Sequence, residues 1–393
     1  MQYDFTTVVS RVNKGSGKWN EMCAMYPDPE PNHIPLSVAD MELKNAPEIV
    51  EGIQEFVAKS ILGYTGPTDS YFDAVISWME RRHGFTPKKE WIIQTEGVVP
   101  ALKYVVGAFC QPGDGVLINT PVYYPFKMVV EKNNCTLYEN PLVQNGNTYD
   151  IDWADFEAKC ALPEVKFYIL CSPHNPVGRI WSEEEIKRIA EICYNNNVFV
   201  LSDEIHNDLI LPGYKHYSMG CVEEKYLKNC CICTAPSKTF NLAGLQTSNI
   251  IIPDDEKCEA LRKIKGHNTL NIFGYEACRV AYEKAEPWLE ELLKVLDTNK
   301  HLVEDFFAEK IPAVKVTELQ GTYLQWLDFR WLNMSNEDLQ KFMREKAGWF
   351  TDEGFIFGTG GDGFERINIA CPTEALRYML NRLYDAMVAE KLI

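Results

Sequence analysis

A chain of 393 residues, 46% hydrophobic and 24% charged, is long enough for more than one cored domain, and its composition excludes a disordered or fibrous protein. Its formal net charge of −17 repels phosphate backbones and anionic lipid surfaces, so neither nucleic acid nor membrane is an expected partner. No apolar run approaches the length of a bilayer span, and the N-terminal MQYDFTTVVSRVNKGSGKW carries no apolar stretch with a small-residue cleavage site, so the expected location is the cytoplasm.

In chain order, Trp91-Ile-Ile-Gln-Thr95 reads as a strand that passes through Glu96 into a helix opening at Gly97-Val98-Val99. Val99, Leu102, Val106 and Phe109 share one face of that helix, and a glycine at its entry allows close approach to the free N–H groups of the first turn. A second unit begins with the strand 166–171 and runs through Ser172-Pro-His-Asn-Pro-Val-Gly178. It enters a helix where Ser182 and Glu185 form a capping box and Ile186, Ile189, Ala190 and Cys193 make the apolar stripe. Strands at 198–201 and at Cys230–Thr234 follow, the latter handing the chain straight to Lys238. This alternation predicts an α/β fold, a large domain on a mostly parallel sheet.

From Glu286 the pattern changes to a long helix through 287–307, a strand at 321–329 with one exposed face, and a further helix, which predicts a smaller α+β domain. The expected division is an N-terminal segment 1–45 joining the small domain, a large domain 46–285 and a small domain 286–393, with a rigid joint inside a helix. The thirteen cysteines, odd in number and scattered through apolar segments, read as reduced buried thiols. Cys230 and Cys233 form a CxxC, but no second ligand pair follows at zinc spacing, so no metal is expected. Gly358-Thr-Gly-Gly-Asp-Gly363 has the G-x-G-x-x-G spacing but leads into a strand-like Arg366-Ile-Asn-Ile, which makes it a loop. Gly17-Lys18 lacks the earlier glycine of a phosphate-binding loop, and HExxH and GxSxG are absent.

Three successive strands end in polar groups: Asn175 after the first, Asp203 and His206 after the second, Lys238 after the third. Singly, each has a structural use: a turn at Asn175-Pro176, a cap, a packed core histidine, a solvent-facing lysine. Together they fall on the carboxyl edge of the sheet, where open α/β folds bind ligands. A lysine amine that condenses with an aldehyde as a Schiff base, and a carboxylate that keeps a ring nitrogen protonated, are the needs of an aldehyde cofactor. Hydrogen-bond donors near a ring oxygen and a helix N-terminus for a phosphate complete a description of pyridoxal 5'-phosphate.

The sequence resembles the fold-type I pyridoxal-phosphate enzymes of the class I/II aminotransferase type, and within them the cystathionine β-lyase (cysteine-S-conjugate β-lyase) subgroup. The blocks that carry the resemblance run nearly end to end: Asn13-Lys-Gly-Ser-Gly-Lys-Trp19, Pro35-Leu-Ser-Val-Ala-Asp-Met41, Tyr64-Thr-Gly-Pro67, Thr120-Pro-Val-Tyr-Tyr-Pro-Phe126, Ser172-Pro-His-Asn-Pro-Val-Gly178, Ser202-Asp-Glu-Ile-His-Asn-Asp-Leu209, Ser237-Lys-Thr-Phe-Asn-Leu-Ala-Gly-Leu-Gln246 and Arg366-Ile-Asn-Ile-Ala-Cys-Pro372. The resemblance implies that Lys238 carries the cofactor, Asp203 pairs with its ring nitrogen, Asn175 and His206 lie near its phenolic oxygen and Tyr123 stacks on its face. It implies that Gly97, Val98 and Val99, with Ser237 nearby, take the phosphate. Tyr64, completing the catalytic set, would reach the neighbouring subunit's phosphate in a homodimer. Arg366 would grip the substrate carboxylate, with Ala39 in the same substrate-binding set.

The implied reaction starts when an amino acid displaces Lys238, whose freed amine then serves as general base at the α-carbon. A thiolate leaving from the β-carbon gives pyruvate, ammonia and, from cystathionine, homocysteine. Reprotonation on the cofactor instead gives amino transfer, the alternative reading; a non-catalytic regulatory protein would need to have lost a core residue, and none is missing. His206 favours the lyase, because many transaminases carry tyrosine there. Ser37, Glu42 and Gln246 depart from the family, which often has tryptophan, aspartate and, in many aminotransferases, a phosphate-binding arginine at these positions.

Overall fold

The structure is a computed structural model that describes residues 2–266 and 269–393. Seven strands form the large sheet: β1 (Ile92–Thr95), β2 (Gly115–Thr120), β3 (Thr136–Pro141), β4 (Val165–Cys171), β5 (Phe199–Asp203), β6 (Cys230–Thr234) and β7 (Ser248–Ile251). Their order is β1-β7-β6-β5-β4-β2-β3. β7 runs antiparallel to both of its neighbours and the other adjacent pairs are parallel.

Helices cover both faces of this sheet, which is why its strands read as near-continuous apolar runs rather than as alternating ones. Ile93, Ile118, Ile169, Leu201 and Ile250 pack on one side with the helices Val98–Phe109, Pro125–Lys132 and Asp255–Lys265. Leu117, Tyr168, Val200 and Ile232 pack on the other with Glu183–Asn195 and Asp69–His83. Cys230 falls in the second group and Cys233 in the first, so the CxxC pair points to opposite sides of the sheet and no ion could bridge it. The capping box forms as expected, Glu185 N–H donating to Ser182 Oγ at 3.2 Å and Ser182 N–H to Glu185 Oε2 at 2.6 Å. All thirteen cysteines are free thiols.

A second, antiparallel sheet has the order Lys315–Val316, Leu324–Asp328, Phe364–Asn368, Asp352–Glu353. The N-terminal segment runs along it: Leu36 N–H donates to Phe350 O at 2.8 Å, Asn368 N–H to Leu36 O at 2.8 Å, and Glu42 N–H to Ala370 O at 2.9 Å. Lys18, buried, fastens the segment from behind through Asp40 Oδ1 at 2.7 Å and Glu42 Oε1 at 2.8 Å, while Trp19 Nε1 donates to Glu42 Oε2 at 2.9 Å. Glu42, unusual for the resemblance, thus serves two donors of the Asn13–Trp19 block.

One expectation is corrected. The strand expected at 321–329 spans only Leu324–Asp328, and it has no exposed face. Trp326 stacks on Phe364 with ring centres 4.9 Å apart and donates from Nε1 to Tyr149 Oη at 3.3 Å, so a hairpin of the 143–150 region covers what local pattern leaves open. The long helix expected at 287–307 spans Glu286–Lys310, preceded by a separate helix, Ile272–Lys284, with Ala285 between them at φ −97°, ψ 11°. Pro287 has no N–H to continue the first helix and suits the first turn of the second.

Candidate active site

The carboxyl ends of β1, β4, β5 and β6 share one edge, and a cavity of about 320 Å³ opens there. Gly97, Val98, Val99, Tyr123, Asn175, Asp203, His206, Ser237, Lys238 and Ala39 all line it. Asp203 is the last residue of β5, so the strand runs two residues past the apolar stretch that marks it in sequence. Arg366 stands beside the cavity: Nη1 donates to Asn175 Oδ1 at 2.9 Å, Nη2 pairs with Asp352, and Nε is buried with no hydrogen-bond partner among the described residues. Tyr64 is fully exposed and outside the cavity of its own chain.

Lys238 lies in a single helical turn, Pro236–Thr239, and its Nζ donates to the backbone oxygen of Ala39 at 2.7 Å. Tyr323 Oη donates to the same oxygen at 2.9 Å. Burial pushes the Lys238 amine down to about 8, and the Arg366 cation adds to this, opposed by the carboxylates of Asp40 and Asp203. Burial lifts the Asp203 carboxyl to about 7, against the Ile205 N–H it accepts at 3.2 Å and the Lys238 charge. Burial, then the cations of Lys238 and Arg366, hold His206 well below the usual imidazole range, and its Nδ1 is buried without a partner among the described residues. At about 1.4 kcal/mol per pKa unit, these shifts mark groups held ready for a partner rather than solvated at a surface.

The helix Val98–Phe109 starts at this edge with no side chain capping its N–H groups. Gly97, at φ 149°, ψ 166°, adopts a backbone that L side chains avoid and leaves the Val98 and Val99 N–H groups open to an anion. Ser237, Gln246 and Thr247 line the same cavity. An amine, a carboxyl, an aromatic wall and an anion-binding helix start in one cavity fit pyridoxal phosphate, and the unpartnered His206 Nδ1 provides a further polar contact for it.

The model of the family described as aminotransferase class I and II matches residues 31–383. The chain belongs to this family. It is 39% identical over 380 residues to a cystathionine beta-lyase, PatB, of Bacillus subtilis, covering 96% of this chain and 98% of that one. Among solved structures it is similar to cystalysin of Treponema denticola, which contains pyridoxal 5'-phosphate, with a TM-score of 0.97, 43% identity and coverage of 99% and 100%. It is also similar to the PLP-bound C-S lyase of Staphylococcus hominis, with a TM-score of 0.90, 32% identity and coverage of 99% of each chain.

Within the aminotransferase class I and II framework, several site residues carried no sequence signal. Tyr323 comes from the small sheet region and Asp352 from its edge strand, each far from Lys238 in the chain. Glu96, whose Oε1 accepts from Tyr104 Oη at 2.7 Å, also lines the cavity; its place between β1 and the helix was visible, its orientation was not.

Proposed function

We propose that the chain is a pyridoxal-phosphate-dependent carbon–sulfur β-lyase that acts on cystathionine or another S-substituted cysteine and releases thiol, pyruvate and ammonia. The observation that carries this reading is the meeting of Lys238, Asp203, Asn175, His206 and Tyr123 on one buried cavity beside an uncapped helix start. Similarity over nearly the full chain to proteins named as cystathionine β-lyase and C-S lyase supports it.

Bound pyridoxal phosphate supplies an aldehyde that captures an amino group and a ring that takes up the electron pair of a carbanion. The chain supplies the rest. Lys238 would hold the cofactor covalently, and its amine, which burial pushes down to about 8 in the empty site, would serve as the base for the substrate α-proton. The Ala39 carbonyl orients that amine. Asp203 would hold a proton on the ring nitrogen, Tyr123 would wall the ring, and Asn175 and His206 would lie near its oxygen. Val98 and Val99 would offer N–H groups to the phosphate, with Ser237 nearby. Arg366, held in place by Asp352 and Asn175, would receive the substrate carboxylate, near Ala39.

The finer assignments follow from the same reading. Tyr64, exposed in one chain, completes the phosphate site of the neighbouring subunit in a homodimer. A segment 1–45, a large domain 46–285 and a small domain 286–393 divide the chain, with the N-terminal segment laid on the small sheet. Free thiols throughout support a reducing, cytoplasmic setting, and among the described residues no helix is long and apolar enough to cross a membrane.

Incubating purified holoenzyme with cystathionine and no keto-acid acceptor tests the proposal. Pyruvate and free thiol should accumulate together; their absence, with amino transfer once an acceptor is added, would replace the lyase by an aminotransferase.

A further inference from the structure

Behind the cavity lies a buried carboxylate that the chemistry above does not use. Asp208 follows Asp203 by five residues in the loop after β5, and its side chain is 2% exposed. It accepts from two further elements. From the helix Asp69–His83 come Trp78 Nε1, at 3.1 and 3.2 Å, and His83 Nε2 at 2.8 Å. From the turn that carries Lys238 comes Thr239 Oγ1 at 2.7 Å.

We propose that Asp208, acting through Thr239, is a positioning residue that sets Lys238 against Asp203 and His206. The inference rests on the reading of Lys238 as the cofactor lysine. A four-residue helix cannot hold its own geometry, because nucleation costs more than one turn returns. Its local ties are few: Phe240 N–H to Pro236 O and Leu242 N–H to Ser237 O, both at 2.9 Å. The Thr239 hydroxyl is the side-chain tie next to Lys238, and it ends on the loop that carries the opposing acid. That loop is itself folded tightly, with Asn207 N–H on Glu204 O at 3.0 Å and Leu209 N–H on His206 O at 2.9 Å. One carboxylate therefore fixes the distance between the two arms of the site.

The charge of Asp208 suits this use. His83, Thr239 and the Arg82 cation hold it ionised against the cost of burial, and a charge-assisted bond to Thr239 is stronger than a neutral one. Among the described residues, other titratable groups around the pair are His216, whose ring lies 5.9 Å from that of His83, Glu204, which burial keeps raised, and Tyr282, which stacks on Trp78 and is raised by burial and by the Asp208 charge. A Thr239 hydroxyl pointed elsewhere would leave Asp208 satisfied by Trp78 and His83, so the link to the lysine turn is separable from the rest of the cluster.

The test compares holoenzymes of Thr239→Val, Thr239→Ser and His83→Gln with wild type, reading cofactor content, melting temperature, kcat and KM. A further readout, taken with no substrate present, is the pH midpoint of the bound cofactor's visible absorption, which reports the protonation of its linkage to the lysine. Thr239→Val should keep its cofactor, shift that midpoint and lower kcat by about tenfold or more, since small misplacements of a reacting group are costly, with KM nearly unchanged. Thr239→Ser should restore both, and His83→Gln, which leaves the lysine turn untouched, should move the midpoint in the same direction by a smaller amount. A wild-type midpoint and kcat in Thr239→Val, or a serine variant as impaired as the valine one, would overturn the proposal. If Thr239→Val fails to fold, the midpoint of His83→Gln decides alone, an unchanged value counting against. Should wild type itself release no thiol, the lyase reading fails while the substrate-free midpoint still judges the role of Thr239.

Discussion

Asp203 ends a strand whose five residues are all buried, and its carboxyl is lifted to about 7 by that burial. Between the ordinary carboxyl range and pH 7 the empty folded protein keeps a proton that the unfolded chain has lost, so stability falls as pH rises across this window. Cofactor-free Asp203→Asn should therefore exceed cofactor-free wild type in stability at about pH 8, by about 4 kcal/mol at most. The gap should close below about pH 4, and urea unfolding at the two pH values measures it. Lys238→Ala should lose the borohydride-trappable attachment of the cofactor, seen by mass spectrometry, and about 10²-fold or more of the elimination rate. Both residues were legible in the sequence because an ionisable group at the end of an apolar strand is costly and needs a reason. Tyr323 and Asp352 were not, since each sits unremarkably in its own segment and meets the site only through the fold.

At the scale of elements, the capping box of the helix Glu183–Asn195 was readable because both partners lie within four residues. Ser182→Ala should cost about 1 kcal/mol, as N-cap removals do, leaving cofactor binding unchanged; thermal unfolding with a cofactor titration checks both parts. The helix start at Gly97 was readable in the same way, from a strand, a glycine and a periodic stripe. Leu324–Asp328 was misjudged in extent and exposure because its cover, the hairpin bearing Tyr149, lies far away in sequence. The CxxC misleads as a motif for the opposite reason: a strand sends residues three apart to opposite faces, which spacing alone does not reveal.

For the whole molecule, the mostly parallel sheet and its loaded edge followed from the order of strand, turn and helix, while the seating of residues 33–42 on the second sheet depends on contacts across more than three hundred residues. Gln246 stands in left-handed backbone at φ 50° in the cavity wall, and Tyr64 is exposed and lies outside the cavity of its own chain. If a second copy supplies Tyr64 to the phosphate, Tyr64→Phe should weaken cofactor retention more than Gln246→Ala, as equilibrium dialysis of the holoenzymes would show; the reverse order would mean that the phosphate is held within one chain. The central claim, that this site breaks a carbon–sulfur bond, is tested most directly by one reaction containing cystathionine and a 2-oxo acid other than pyruvate together. Thiol and pyruvate should appear one for one while the added oxo acid is not consumed; consumption of the oxo acid with the sulfur still attached to its carbon would contradict it.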